Sequence, residues 1–313
     1  MADVVCVGIL VADCVGKPVE GLPERGKLAL LDQLELHLGG NASNTALGLA
    51  KIGISSAIIG KVGRDGFGDF LESTLKRAGV DTSGLVHDAR SHTSSTMVMV
   101  HPDGERSFLH YLGANAFFGE DDIAWNLIRP AKVMHIGGHF LMSAFDGEPA
   151  ARALKQAKDL GITTCLDPCW DSKGRWMNLV RPCLQYTDYF LPSIEEAKQI
   201  ASREDPGEIA DALLSEGVGT VGLKMAEQGC LIKSYDHELR LPAFQIDPVD
   251  ATGAGDAFVT GFLTGVVNGW DLEQTGRFAN AVGAMATLAI GTTAGVRSMA
   301  ETQAFMEGTP LRK

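Results

Sequence analysis

The sequence predicts an α/β fold, in which a central, mostly parallel β-sheet carries helices on both faces and a small β-strand lid is inserted. Short apolar runs alternate with helix-like segments along most of the chain, which is typical of parallel sheets. Several helix-like segments end on glycine, among them those at Gly53 and Gly79. Residues 27–38 and 93–112 instead alternate apolar and polar residues, as half-exposed antiparallel strands do.

The elements follow one another in a regular order. Strands are predicted at the apolar runs 4–11, 55–62, 131–138, 162–167, 188–192 and 220–225. Helices are predicted at 42–53, 67–79, 148–161, 193–202 and 206–217. Residues 93–112 form two strands around a Pro102-Asp103-Gly104 turn. We therefore expect one domain over residues 1–313, with lid strands inserted at about 12–38 and 90–112.

Composition limits the classes of partner. The chain has 313 residues, a net charge of -12 and no basic run, so we expect neither nucleic acid nor a membrane surface as partner. The N-terminal apolar run is too short for a membrane span and has no signal-peptide layout. Six scattered cysteines without a paired CxxC pattern fit a reduced cytoplasm. His135 and His139 bracket two glycines, and we interpret this stretch as a strand end because a metal pair at that spacing needs a helix.

One motif is a false lead. The stretch GVGTVG at 217–222 matches the dinucleotide fingerprint G-x-G-x-x-G, which requires a strand before it and a helix after it. Here a helix precedes and a strand follows, so the match is accidental and argues against a hydride-transfer enzyme.

The stretch DATGAGD at 250–256 carries the strongest chemical signal. Gly253, Ala254 and Gly255 let a ligand approach the backbone closely at a predicted helix start, where amides and the helix dipole favour an anion such as phosphate. Asp256 follows in the first helical turn. It either complements the dipole or accepts a proton from an attacking hydroxyl. An amide site beside an acid favours phosphoryl transfer to an alcohol.

A second glycine-rich stretch, GGNASN at 39–44, also opens a helix. Gly39 and Gly40 permit a tight turn, and either Asn41 or Ser43 could be the N-cap of the helix. The alternative is a polar cradle for a polyol, in which Asn44 supplies donors and an acceptor for neighbouring hydroxyls.

These motifs resemble those of the ribokinase-like (PfkB-type) carbohydrate kinase family. GGNASNTALGLAKIG with GKVGRDGFG (60–68) resembles its N-terminal signature, and VDATGAGDAF (249–258) its C-terminal signature. The resemblance implies that Asp256 is the catalytic base and that the amides of residues 253–255 form the anion hole. It implies further that Asp13, Gly39, Gly40 and Asn44 bind the substrate.

The resemblance also implies ATP and Mg²⁺. Residues 222–230, with Lys224 and Gly229, would line the nucleotide pocket, and Asn280 would lie near the adenine. Asp250 and Thr252 match positions that bind a monovalent cation such as K⁺ in many members. The common N-x-x-E motif is here Ser193 to Glu196; this is also a capping box, which is compatible with Glu196 holding a water on Mg²⁺. Cys169 replaces another common asparagine.

The sequence therefore predicts an ATP-dependent kinase that phosphorylates a primary hydroxyl of a small sugar or sugar derivative. A nucleoside kinase of the same fold is the closest alternative, and a non-catalytic sugar or nucleotide sensor is another. The apolar faces of the lid strands predict a homodimer formed through the lids, with Leu28, Leu30, Met97 and Met99 on the buried side.

Overall fold

The computed structural model describes residues 1–312. Its thirteen strands, with their bounds, are β1 Val4–Gly8, β2 Val11–Lys17, β3 Gln33–Gly39, β4 Ser56–Gly63, β5 Asp81–Asp88, β6 Ser95–Val100, β7 Arg106–Tyr111, β8 Val133–His139, β9 Thr163–Pro168, β10 Tyr189–Phe190, β11 Thr220–Lys224, β12 Cys230–Ser234 and β13 Glu238–Leu241. Its ten α-helices are α1 Asn41–Ile52, α2 Gly66–Arg77, α3 Trp125–Ile128, α4 Glu148–Asp159, α5 Trp176–Leu184, α6 Ile194–Ala201, α7 Pro206–Ser215, α8 Ala254–Asn268, α9 Leu272–Ala286 and α10 Met299–Gly308.

Nine strands form the central sheet in the order β13-β12-β11-β10-β9-β8-β1-β4-β5. In this order, every pair of neighbouring strands from β11 to β5 is parallel, and β12 and β13 add an antiparallel edge. One face of the sheet packs against α4 to α7, and the other against α1, α2, α8 and α9. Helices on both faces bury the parallel strands, which explains their almost continuous apolar sequences. The predicted α/β class is confirmed.

A second sheet of four strands, in the order β3-β2-β6-β7, stands beside the central sheet, and we call it the lid. Its hairpin β6–β7 turns through residues 101–105, where Gly104 has a φ of 88° and its amide donates to the His101 carbonyl oxygen. The predicted turn at Pro102-Asp103-Gly104 is therefore confirmed.

The prediction of one strand over residues 4–11 was partly wrong, because β1 covers only residues 4–8 and the chain then leaves the central sheet. β1 ends at Gly8, which has a φ of 148°, and a Cβ there would lie 2.0 Å from the Gly137 carbonyl oxygen. Only glycine allows this close approach of two strands. The remaining apolar residues lead into β2 of the lid.

The prediction of a strand over residues 27–38 was also partly wrong, since β3 begins only at Gln33. β2 pairs with β3 from Val11–Gly39 to Lys17–Gln33, and Pro18 follows β2 directly. Proline has no amide hydrogen to extend the ladder. Residues 27–32 therefore have no partner strand, and Leu28 and Leu30 remain 83% and 86% exposed in the single chain.

The histidine pair and the false dinucleotide motif lie as predicted. His135 and His139 are fully buried in β8, and burial lowers the pKa of each to about 3, so both are neutral packing residues. α7 precedes residues 217–222, and residues 220–222 already lie in strand β11, so a strand and not a helix follows the first glycines. All six cysteines are free.

Two kinds of feature are not found in residues 1–312. No helix there has the length and apolar character needed to cross a bilayer. No three histidine, cysteine or acidic side chains there converge in a group suited to a metal ion.

Candidate functional site

The candidate site lies at the carboxyl ends of the parallel strands, where α/β sheets commonly bind ligands. The loop before α8 reaches this edge and ends in a tight turn at Gly253, the N-cap of α8, with a φ of 77°. A Cβ on Gly253 would lie 2.3 Å from the Thr292 carbonyl oxygen, so glycine is required here. Residues 253–255, which we call the glycine turn, present the first amides of α8, and these lack partners within the helix.

The glycine turn has the electrostatic character of an anion site. A Cβ on Gly255 would lie 3.5 Å from Lys224 Nζ, which places an ammonium group beside the start of α8. The helix dipole adds positive potential there. The Ala254 amide donates to the Ala251 carbonyl oxygen at 3.2 Å, so one of the three predicted amides already has a partner in the loop before the turn.

Asp256 lies in the first turn of α8 and is 9% exposed. Its Oδ1 accepts a hydrogen bond from Asn41 Nδ2 at 2.9 Å, and its Oδ2 accepts one from Asn44 Nδ2 at 2.7 Å. Burial raises the pKa of Asp256 above its ordinary value, although both asparagine bonds and the charge of Lys224 favour the ionised form. The carboxylate is thus held rigidly, beside an anion site, with an affinity for a proton greater than that of an exposed aspartate.

The helix start in the second glycine-rich stretch differs from the prediction. Gly40, with a φ of 95°, is the N-cap of α1, and no side chain caps the helix. The prediction of Asn41 or Ser43 as N-cap was therefore wrong. Asn41 and Asn44 are three residues apart in the first turn, so their side chains share one face, and both reach Asp256 instead of the helix's own amides.

Asn41 also links Asp256 to a buried ion pair. Its Nδ2 lies 3.4 Å from Asp167 Oδ2, and Asp167 Oδ1 accepts from Lys224 Nζ at 2.6 Å. Burial lowers the pKa of the Lys224 ammonium, but the carboxylates of Asp167 and Glu196 outweigh it and hold the pKa above its ordinary value. Lys224 therefore stays charged beside the glycine turn.

Asp13 lies in β2 above the Gly39-Gly40 turn. A Cβ on Gly39 would lie 2.0 Å from Asp13 Oδ2, so glycine at this position makes room for the carboxylate. Burial raises the pKa of Asp13 to about 6, while Thr96 and His37 favour the ionised form and Asp256 opposes it.

Ser193 and Glu196 form the predicted capping box at the start of α6. Glu196 Oε2 accepts from the Ser193 amide at 2.8 Å, and Ser193 Oγ accepts from the Glu196 amide at 3.3 Å. Ser193 also forms a parallel β-bridge with Lys224. The capping box occupies one carboxylate oxygen of Glu196 and leaves Oε1 outside it.

The two remaining predicted nucleotide residues have structural contacts. Gly229 has a φ of 88°, and a Cβ there would lie 2.0 Å from the Leu241 carbonyl oxygen. Asn280 lies in α9 and donates from Nδ2 to the carbonyl oxygens of Leu241 and Pro242, each at 3.2 Å. Both residues hold the β13 end in place, and their contacts with a nucleotide stay predictions.

Asp250 and Thr252 lie at the base of the glycine turn. Asp250 Oδ1 accepts from the Thr252 amide at 2.8 Å and from Arg106 Nη1 of the lid at 2.7 Å, and Oδ2 accepts from the Gly291 amide at 2.9 Å. Burial raises the pKa of Asp250, but the two amides and Arg106 outweigh it and hold the pKa below its ordinary value. The carboxylate is ionised and already binds a cation, the Arg106 guanidinium.

A cavity of about 190 Å³ runs between the lid and the loops around residues 250 and 291. Asp13 and His37 lie at one part of its wall, and Arg106 and Asp250 at another. The rest of the wall combines the polar side chains of Lys17, Gln33 and Glu35 with aliphatic ones: Val15, Val98, Val100, Val249 and Ile290. The volume is below the ~300–1,000 Å³ usual for drug-sized ligands, so the cavity is suited to a small molecule.

Three site residues were not singled out from the sequence as ligand-contacting candidates. The i, i+3 spacing of Asn41 and Asn44 could have identified Asn41. The position of Asp167 at the end of a buried strand could have identified that residue. Nothing in the sequence indicated that Arg106 contacts Asp250, because the two are joined only when the lid lies over the sheet.

Comparison with known proteins is consistent with this geometry. Residues 1–299 match the model of the family described as pfkB family carbohydrate kinase. Fructokinase-2 of Zea mays is 30% identical over 281 residues, which cover 85% of this chain and 84% of that protein. Fructokinase with bound ATP from Xylella fastidiosa superposes with a TM-score of 0.85 at 23% identity, covering 98% and 99% of the two chains. A protein of E. coli solved in complex with ATP and Mg²⁺ has the same TM-score, identity and coverage.

Proposed function

Because the chain belongs to the pfkB family of carbohydrate kinases, we propose that it transfers the γ-phosphoryl group of ATP to a primary hydroxyl of a small sugar or sugar derivative. The resemblance found in the sequence motifs is thereby confirmed at the level of the family. The roles of individual residues are part of the proposal.

The observation that carries the proposal is the environment of Asp256. A buried carboxylate, fixed by two asparagine amides, lies in the first turn of a helix whose start is an anion site. An anion site that only bound phosphate would gain nothing from a neighbouring negative charge, which repels the ligand. A base for an attacking hydroxyl needs this position, because the hydroxyl must meet the phosphoryl group there.

In the proposed reaction the acceptor oxygen attacks the γ-phosphorus of ATP. The new O–P bond forms, the bond from the γ-phosphorus to the bridging β–γ oxygen breaks, and ADP leaves with that oxygen. Asp256 accepts the hydroxyl proton, which can move late because phosphoryl transfer has a loose transition state. The amides of Gly253 and Gly255 and the Lys224 ammonium stabilise the negative charge on the phosphoryl oxygens.

The acceptor would bind between Asp13 and Asp256. The Asp13 carboxylate can accept two hydroxyl groups, and Gly39 leaves the room for it to do so. Asn44 is buried and its Oδ1 has no hydrogen-bond partner, so it offers an acceptor to a further hydroxyl. A polyhydroxy compound matches these groups.

The residues present also fit Mg²⁺ held mainly by nucleotide phosphates and water, since Mg²⁺ usually retains several waters. Glu196 Oε1 lies outside the capping box and would hold one such water. When bound, the ion would neutralise the negative charge that develops on the nucleotide phosphates during transfer. ATP and Mg²⁺ in the E. coli protein and ATP in the Xylella fastidiosa fructokinase support this part of the proposal.

A nucleoside kinase is the second candidate, and the lid cavity is the observation that favours it. The aliphatic part of its wall suits the apolar faces of a base better than the hydroxyls of a free sugar. The fructokinases among the relatives favour the sugar.

A coupled assay of ADP release distinguishes these candidates. ATP and Mg²⁺ are supplied with ribose, fructose, a 2-keto-3-deoxy sugar acid, adenosine or cytidine, and with no acceptor as control. We expect turnover with a sugar or sugar acid well above the acceptor-free rate. Turnover with nucleosides alone would select the second candidate, and no acceptor-dependent release across the panel would refute the kinase.

We further propose a homodimer formed through the outer faces of the lids. Val98 and Val100 line the cavity, so Met97 and Met99, which alternate with them, lie on the opposite face of the lid. Met97 is 58% exposed, and the same face carries Leu34, Leu36, Leu109 and Tyr111. An apolar face of this kind beside two free edge strands is a common protein interface.

Sedimentation tests the dimer. The double variant Met97→Asp with Met99→Asp should be a folded monomer, because neither residue belongs to the core of the central sheet. Leu160→Asp, at an exposed position directly after α4, is the matched control and should keep the wild-type mass. A wild-type protein that sediments as a monomer at micromolar concentration would contradict the proposal.

A further inference from the structure

Asp250 joins the two loops that support the glycine turn. Its carboxylate accepts from the Thr252 amide in one loop and from the Gly291 amide in the other. The Thr292 carbonyl oxygen then packs so closely on Gly253 that no side chain fits there. The position of the glycine turn therefore depends on the charge state and contacts of this one buried carboxylate.

The motif resemblance implied a monovalent cation at Asp250 and Thr252, but the residues present do not fit one. Arg106 Nη1 lies 2.7 Å from Asp250 Oδ1, and the Asp250 and Arg106 side chains are only 3% and 24% exposed. Together with the two amides, the guanidinium uses most of the roughly four lone-pair positions of the carboxylate. A metal ion on the same carboxylate would lie within a few ångströms of the guanidinium, where like charges repel strongly.

We propose that Arg106 is a positioning residue that supplies, as a tethered guanidinium, the positive charge that a monovalent ion would otherwise provide at Asp250. Arg106 belongs to β7 of the lid, whereas Asp250 belongs to the loop before α8. The charge therefore arrives when the lid lies over the cavity. The glycine turn is held in place in the closed state without any dissolved ion.

This arrangement couples lid closure to the anion site. If the lid opens, Arg106 leaves and the buried Asp250 loses its cationic partner, which disfavours the arrangement of the two loops. An acceptor that closes the lid would thus also complete the anion site. The activity readout of this inference rests on the proposed kinase function, but its stability readout does not.

The first test compares the wild-type protein in KCl, NaCl and choline chloride at constant ionic strength. We expect kcat to agree within about twofold in the three salts, and the thermal unfolding temperature to be the same in K⁺ and choline. A saturable, several-fold activation by K⁺, or a K⁺-specific rise in unfolding temperature, would overturn the proposal because ligand binding stabilises the folded state.

The second test uses Arg106→Met, which keeps much of the side-chain length and removes the charge. In choline chloride kcat should fall by about 10- to 100-fold, the loss expected for one charge-assisted hydrogen bond. K⁺ should restore part of kcat and raise the unfolding temperature of this variant, since Asp250 is then free to bind an ion. Arg25→Met removes a charge from the exposed segment before β3 and is the matched control, with wild-type behaviour in every salt.

Several results would contradict the assignment. If Arg106→Met in choline chloride has the same kcat as the wild-type protein, the charge is not needed. If its kcat falls and K⁺ does not restore it, Arg106 does not replace an ion. If Arg106→Met fails to fold, Arg106→Lys provides the comparison, and it should retain kcat independent of K⁺. Absence of ADP release refutes the kinase proposal alone, whereas K⁺-specific stabilisation of the wild-type protein refutes this inference alone.

Discussion

Replacing Asp256 by asparagine should separate catalysis from binding and from stability. The substitution keeps the size and shape of the side chain but removes its charge and its ability to accept a proton. We expect kcat to fall by about 10²–10⁴-fold, the usual contribution of a positioned general base. The dissociation constant of the acceptor should change by only a few-fold, since most of its hydroxyl contacts lie elsewhere.

The contacts of Asp256 also set the expected loss of stability. Both neighbouring asparagines donate to the carboxylate, so the new amide group would face one donor with another donor. The loss of one charge-assisted bond costs about 1.5–3 kcal/mol. Asn44 can rotate its amide, because its Oδ1 has no partner and would then accept from the new amide. Removing a buried charge offsets part of the remaining cost. The free energy of unfolding of the variant should therefore be lower than that of the wild-type protein by less than about 3 kcal/mol.

Three measurements test this expectation on the same preparation. ADP release gives kcat, calorimetric titration gives the dissociation constant of the acceptor, and urea unfolding gives the free energy of unfolding. Asp146→Asn is the matched control, because Asp146 is also a buried carboxylate that accepts two hydrogen bonds, from the amides of Phe140 and Met142. It should lose stability and keep its kcat.

An Asp256→Asn variant with half of the wild-type kcat would remove Asp256 from the chemical step. A fall in kcat of equal size in Asp146→Asn would be as damaging, because it would show that the loss follows from structural disturbance.

Two further predictions concern Glu196 and Asp13. Glu196→Gln keeps the capping box and should raise the Mg²⁺ concentration for half-maximal activity by about 10-fold or more; an unchanged Mg²⁺ dependence in a titration of ADP release would leave only the cap. For Asp13, whose pKa is about 6 instead of 3.8, the KM of the acceptor should rise as the pH falls below 6, because the protonated carboxyl loses acceptor capacity. The raised pKa makes the folded protein bind this proton more tightly than the unfolded chain, so Asp13 adds stability as the pH falls from 6 towards 3.8, and unfolding through Asp13 cannot explain a higher KM. Asp13→Asn is the control and should have a high KM that does not change with pH. A KM of the wild-type protein that stays constant from pH 5 to 8 would refute the role of Asp13 in binding the acceptor.

The features that the sequence predicted correctly depend on neighbours along the chain. Periodicity, helix-terminal glycines and the Ser193–Glu196 capping box are local, and most predicted strands and helices have counterparts in the structure. The predictions for residues 4–11 and 27–38 were wrong at the strand ends that depend on contacts with other strands. Gly8 separates two strands because another backbone approaches it, and β3 begins at Gln33 because its partner ends before Pro18.

Local sequence was enough to predict the α/β class, the turn at Gly253 and the place of Asp256 in the first turn of a helix, since a glycine-rich turn and the helix after it are specified by adjacent residues. The surroundings of Asp256 depend instead on contacts between distant parts of the chain. Asn41 reaches Asp256 across 215 positions of the chain, and it reaches Asp167 across 126 positions. Arg106 reaches Asp250 from a separate sheet. These contacts exist because parallel strands bring their carboxyl ends to one edge and the lid lies over that edge, an arrangement that long-range packing fixes and that no local pattern encodes.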